Sequence, residues 1–427
     1  MNKFISFCIL LLGLPVLISA QNINGRLSSS IYTFERFDTT DVSNKYVRAY
    51  EMLNLNINKG QFSLRSYLNF ESDLSRKQDY DPRLRFYNLY LEGRSLFDIA
   101  TIKIGRQPIF NSIAGGGLFD GADLDLRYGS FKLSGYYGAN TPAYQKFEVT
   151  KNWNDNYILG GQFTTTAIKN TQIGLSYINK NFKPEDYYST RFDANLNPMQ
   201  VLIDQNSNQF KFASAEVSYR QENLLTLDTR YDYDLNYEKT SKFEVDGRYE
   251  QIENLGIDVY YNYREPRIRY NSIFSVFDFG NTQEIEGGLD YRFFNAYTVF
   301  GKFATVKYKD DNSQRITFGV NTNYGSLSYR KNLGYAGEMD AVSLYGAYSF
   351  MEGFFTPSLG LAYTTYKLSK DDPKNNLTSV LAGFNLRPWK ALSFDLQGQY
   401  LNNTIYKNDL RLFFKINYWF NTNLKLI

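Results

Sequence analysis

Apolar and polar side chains alternate along almost the whole chain, in runs of roughly ten residues that begin near Leu27 and end near Phe420. The clearest run sets Leu225, Leu227, Thr229, Tyr231, Tyr233, Leu235 and Tyr237 on one face, with Thr226, Asp228, Arg230, Asp232, Asp234 and Asn236 on the other. Successive side chains of a β-strand point to opposite faces, so each run predicts a strand with one apolar and one wet surface. A wall between lipid and a watery interior needs such a strand. Tight turns are expected at 58–60, 92–94, 128–130, 169–171, 221–223, 253–254, 294–296, 323–325, 352–353 and 388–390. Asn, Gly and Asp dominate them because hairpin turns need positive φ. Alternating with these are longer polar connections at 71–82, 105–121, 140–156, 179–208, 265–283 and 369–376, and three brief ones at 239–240, 310–312 and 334–338.

The tally predicts an all-β fold, a single transmembrane antiparallel β-barrel of about 22 strands, or about 18 if short runs near Leu124 and Leu327 fall into loops. An even number places both termini on one side, which the short turns mark as periplasmic and the long loops as opposite to the cell surface. Leu227, Val245, Ile257 and Leu289 should face lipid, and Thr226 and Gly288 should face water. A turn at 239–240 would set Asp232 opposite Arg248 and Arg230 opposite Glu250, a ladder of opposite charges that satisfies itself. No motif recurs at a fixed period, as a solenoid requires. No Pro/Ser-rich linker or charge block divides the chain, so 21–427 reads as one barrel domain.

Composition sharpens this picture. The chain is 43% hydrophobic and 17% aromatic yet 21% charged, and beyond the N-terminus no uncharged stretch approaches the ~20 apolar residues of a spanning helix. The 37 Tyr and 34 Phe gather near strand ends, as at Tyr261 and Tyr263, Tyr291 and Phe293, Phe354 and Phe355, and Tyr418 to Phe420. Girdles at two lipid interfaces account for them.

Residues 1–20 read as a secretory signal peptide, with Lys3 as its basic end, an apolar stretch from Phe4 to Ile18, and Ile18-Ser19-Ala20 before a cut at Gln21. Cys8, the one cysteine, lies inside that stretch, so the exported chain has no disulfide or thiolate metal site. Alternation starts almost at the cut, leaving no room ahead of the barrel for the plug domain of an active transporter. The formal charge of +3 is too near neutral to argue for nucleic acid or an acidic partner.

The chain has no histidine. Imidazole is the usual general base near neutral pH, and neither a nucleophile elbow nor another catalytic motif takes its place. The expected protein is therefore no enzyme, with no catalytic residue, cofactor or metal. Charges on the inner faces are mixed in sign: Lys242, Glu244, Asp246, Arg248 and Glu250 alternate with Phe243, Val245, Gly247 and Tyr249, and Glu284, Glu286, Asp290 and Arg292 with Ile285, Leu289, Tyr291 and Phe293. The candidates for lining a passage are Arg85, Asp228, Arg230, Asp232, Arg248, Glu250, Asp290 and Arg292.

One segment departs from the repeat. Ile104-Gly105-Arg106-Gln107-Pro108-Ile109-Phe110 leads into Ala114-Gly115-Gly116-Gly117-Leu118-Phe119-Asp120-Gly121, a glycine cluster that can fold closely against other groups. It lacks the Gly-Lys-Ser/Thr of a phosphate loop. A strand ending Gly105-Arg106-Gln107, followed by a glycine-bearing loop that closes on Asp120-Gly121, resembles the alginate-export type of outer-membrane porin over some twenty residues. The resemblance implies passage of anionic or neutral sugars by diffusion through a constriction lined by arginines, with Arg106 and Asp120 as the residues carried over. This chain departs in having as many inner acids as bases, and in ending Phe420-Asn-Thr-Asn-Leu-Lys-Leu-Ile427, where a terminal aromatic would stand.

These readings converge on a passive, water-filled pore for small hydrophilic solutes, sugars or oligosaccharides among them, in a Gram-negative outer membrane. Its expected partners are outer-membrane lipid and lipopolysaccharide, the barrel-assembly machinery during insertion, and the solutes themselves. A structural or adhesive barrel whose lumen is closed by side chains is the alternative.

Overall fold

The computed structural model describes residues 21–39, 42–75, 81–109, 117–150, 152–183, 186–194, 196–204, 207–268, 270, 280–309, 311–334, 338–367, 369, 371–403 and 409–424. Residues 1–20, read from sequence as a signal peptide, and the glycine-rich stretch 110–116 lie outside them. The alternating runs form one antiparallel sheet of 22 strands, in which neighbours in sequence are neighbours in space. The sheet closes on itself. Strand Gln21–Thr39 pairs on one side with Val42–Lys59 and on the other with Asp409–Leu424, and in this seam Ser28 Oγ donates to Asn417 Oδ1 at 2.8 Å. Closure leaves no free edge, as a sheet in hydrocarbon requires. The residues past Phe420 continue the register, with Gln21 opposite Leu424, so the first strand starts and the last one ends at the same end of the barrel.

The two faces of the wall differ as the alternation predicts. Leu289 is 55% exposed and lies in an outward apolar row with Ile285 and Tyr291, while the side chains between them, Glu286 and Asp290, are mostly buried inside. Leu227, Val245 and Ile257 share the outward face, half-covered by their neighbours. Gly288 faces inward, as expected, but is buried: an added Cβ would sit 3.0 Å from Lys302 Cγ. The runs near Leu124 and Leu327 are full strands, Gly117–Tyr128 and Gly325–Gly334. At the short-turn end Phe97, Tyr128, Phe294, Tyr324 and Trp389 stand exposed as a collar suited to a lipid interface.

Three local expectations are corrected. The turn expected at 92–94 forms at 97–99, because the strand Arg83–Leu96 runs on through a bulge between Gly93 and Leu96. There the N–H groups of Asp98 and Ile99 donate to the carbonyls of Ser95 and Leu96. The turn expected at 239–240 closes earlier, at 235–238, because the Asp234 carboxylate accepts the N–H groups of Asn236 and Tyr237 at 2.9 and 3.1 Å, an Asx-type turn. The register follows: Asp232 lies opposite Lys242, Arg230 opposite Glu244 and Arg248 opposite Thr226, not the Asp232–Arg248 and Arg230–Glu250 pairs. The connection across 179–208 also carries a separate hairpin, Tyr187–Phe192 with Pro198–Ile203, whose turn is tied by Asn197 donating to the Asp193 carboxylate.

The expectation from loop length is that this hairpin stands outside the cell and that the short turns face the periplasm. A cysteine at Thr190 should therefore be labelled on intact cells, and one at Glu222, in the turn after Asn208–Gln221, should stay silent until the outer membrane is opened. The opposite pattern would invert the barrel.

Candidate functional site

Six consecutive strands, from Leu225–Asp234 to Asp311–Thr322, carry a band of ionised side chains on their inner face. Arg248 is its hub: Nη1 donates to Asp258 at 2.9 Å and to Asp290 at 2.6 Å, and Nε to Glu250 at 2.7 Å. To reach Asp290 the guanidinium crosses an intervening strand at Gly256, where a Cβ would come within 2.2 Å of Arg248 Nη2 and 2.5 Å of Asp290 Oδ1. Only glycine leaves that crossing open. Lys302 stands 3.4 Å from Glu286 and 4.0 Å from Asp258, and Arg315 bridges Glu284 and Glu286.

A recess of about 460 Å³ over this band is lined by five carboxylates and three cations. Asp246 lies among them with no hydrogen bond or ion pair among the described residues, opposite Asp228 on one side and Tyr260 on the other. Its carboxylate is exposed to the lumen.

Asp232, at the upper end of the band, is fully buried. It accepts from Ser214 Oγ at 2.7 Å, from Arg230 through two 2.8 Å bonds, and from Arg267 at 3.3 Å. Arg267 comes from the connection after Leu255–Arg264; burial lowers its affinity for the proton, an effect that Asp232 opposes. Asp228 accepts from Ser218 Oγ and lies 3.7 Å from Arg220. Arg292 is exposed near a short turn. The structure thus brings Arg230 and Asp232 together in one cluster, and Arg248, Glu250 and Asp290 in another. Asp258, Lys302 and Arg315 complete the second cluster and were not among the sequence candidates; Asp258-Val259-Tyr260-Tyr261-Asn262 carries the same alternation and could have supplied the first.

Arg85 is an inner-face residue near the loop end, held by Glu71 at 2.6 Å. Arg106 differs from what the resemblance implies, an arginine lining a constriction of the passage. It and its cross-strand partner Asp120 fall in register with Ile104 and Ala122, on the outward row, and are 7% and 9% exposed. Arg106 Nε and Nη2 each donate to the Asp120 carboxylate at 2.7 Å. Its remaining N–H groups go to backbone carbonyls, at 3.0 Å to Gln145, 2.6 Å to Lys146, 2.9 Å to Glu148 and 3.4 Å to Phe86. A bidentate, fully bonded guanidinium acts as a clamp. It fastens the segment 143–149, which belongs to the connection between Phe131–Asn140 and Tyr157–Thr165.

Among the described residues no group of His, Cys, Asp or Glu side chains is placed to hold a metal ion. No protein-family model matches the chain, and no curated protein sequence matches it either. Among solved structures it is similar to an E. coli P pilus tip assembly intermediate, PapC-PapD-PapK-PapG in the second conformation, at a TM-score of 0.53 and 10% identity. That match covers 96% of this chain and 61% of that longer one. It is also similar to the translocation pore of the P pilus usher PapC (TM-score 0.49, 10% identity, 92% and 99% covered) and to OccAB4 of Acinetobacter baumannii (TM-score 0.44, 10% identity, 96% and 100% covered). At 10% identity the likeness to the pilus assembly intermediate is one of fold, a closed antiparallel β-barrel.

Proposed function

We propose that this protein is an outer-membrane channel through which small hydrophilic solutes diffuse, with a preference for cations over anions at its charged band. The carrying observation is that band. A wall of ionised side chains facing inward is stable only against water, and a 22-stranded barrel is wide enough to hold a column of it. The preference rests on the excess of carboxylates around Asp246, whose charge no neighbouring cation neutralises by direct contact. The same reading puts the chain in a Gram-negative outer membrane, among lipopolysaccharide, after export by its leader and insertion by the assembly machinery. Sugars would pass as neutral hydrophilic solutes, with no built subsite to select them.

Planar-bilayer recording tests this. Discrete conductance steps are expected from the purified chain, with a reversal potential on the cation side. Asp246→Lys should move that potential toward anions, more at low salt, where screening is weak. A barrel that stays silent would favour the adhesive reading, for which the projecting hairpin, with Tyr188 71% and Phe192 67% exposed, is the supporting feature.

A further inference from the structure

The barrel wall parts near its loop end. Strand Arg83–Leu96 is paired to Ala100–Ile109 only from Leu89↔Arg106 to Leu96↔Ala100. Beyond that point its first residues pair with Phe62–Asp73 alone, and Gln107 to Ile109 pair with Gly117–Tyr128 alone. Among the described residues no β-pairing joins 83–88 to 107–109. The segment fastened by Arg106 sits at this gap. On the inner side Tyr144 lies under the guanidinium groups of Arg83 and Arg85, at 5.1 and 5.9 Å. On the outer side Phe147 packs against Phe86 with ring centroids 4.7 Å apart.

Between the segment and the outer wall lies a cavity of about 550 Å³, within the usual size of small-molecule sites. Ile104 and Ala122 form its floor, Phe147 and Val149 cover it, and Tyr137 and Trp153 close one side with their rings edge to face at 6.1 Å. The floor continues into the lipid-facing wall, where Ile104 is 60% exposed.

We propose that this cavity binds one acyl chain taken up from the surrounding membrane. Two observations select that ligand. The lining is apolar apart from Arg106, Asp120, Glu148 and the polar tips of Tyr137 and Trp153, and every N–H of Arg106 is already spent on Asp120 and on backbone carbonyls, so an anionic or polar solute would find no free guanidinium donor there. The cavity opens on the face that meets lipid and not on the lumen, so what reaches it is what the bilayer supplies. A membrane lipid and a free fatty acid carry the same chain. This inference is independent of whether the lumen conducts.

Trp153 reports occupancy. In the full-length protein carrying Trp389→Phe and Trp419→Phe, so that Trp153 is the remaining tryptophan, detergent-solubilised barrel is titrated with dibromostearic acid and, separately, with dibromo-phosphatidylcholine, whose bromines quench on contact. Saturable quenching by either probe is expected, weakened at least several-fold by Ala122→Phe, which fills the floor, and by Val149→Asp, which places a charge in the cover without touching the wall. Response to the acid alone identifies a fatty acid as the source; response to the phospholipid identifies a membrane lipid. Quenching that never saturates, or that persists unchanged in both variants while their strand signal in circular dichroism is intact, would overturn the proposal, as would no response to either probe.

Discussion

Arg106→Ala is expected to destabilise the barrel by about 3–5 kcal/mol, the cost of breaking a buried ion pair from one side. The variant leaves the Asp120 carboxylate 9% exposed with both forked donors gone, and it takes the donor from the carbonyls of Gln145, Lys146 and Glu148. Arg106→Lys should fall between the two, since an ammonium carries the charge without the planar fork. Replacing both partners, as Arg106→Leu with Asp120→Leu, should recover much of the loss, because two apolar side chains leave no buried charge. The carbonyls of the segment still lack a donor, so recovery stays incomplete. Urea-unfolding midpoints in lipid vesicles measure all four proteins. A single variant as stable as the parent would mean that the pair is solvated. Arg106→Glu should also move the reversal potential far less than Asp246→Lys, because Arg106 belongs to the outward row and Asp246 to the lumen.

The contrast between those two residues shows where sequence was enough. Period-two alternation carries strand identity and facing, since a strand slipped by one residue would turn its whole apolar row inward. This is why Leu289 and Ile285 fall outside, and Glu286 and Asp290 inside, as read. Turn position is less legible, because several residue types compete for it. Lys239-Thr240 looked a sufficient turn, but the Asp234 carboxylate captures two N–H groups earlier and moves the register of the next strand. The role of Arg106 was not legible at all. Its position was singled out by the glycine pattern around it, yet its partners at Gln145, Lys146 and Glu148 lie some forty residues away in a connection with no periodicity. Arg248 shows the same limit in milder form: its charge was readable, while its reach to Asp290 depends on the missing side chain of Gly256.

Leu289→Lys and Asp246→Lys place one side chain on the two faces of the same wall, and their effects on folding should differ sharply. Leu289 is 55% exposed, pairs with Ile257 and Gly301, and has only hydrocarbon beyond it in a bilayer. An ammonium there must leave water or pull lipid headgroups inward, at about 2–4 kcal/mol near the midplane of a membrane barrel. At Asp246 the same ammonium enters a wet recess beside Asp228 and Asp258, where it replaces one of several crowded carboxylates and relieves repulsion between them. Its cost should be within about half a kcal/mol of zero, the ordinary range for a surface change, with a small gain in stability as the favoured sign. Folding free energies from denaturant titration in vesicles compare the two directly. Equal losses at both positions would contradict the assignment of inner and outer faces on these strands, and with it the water-filled interior that the proposed channel function requires.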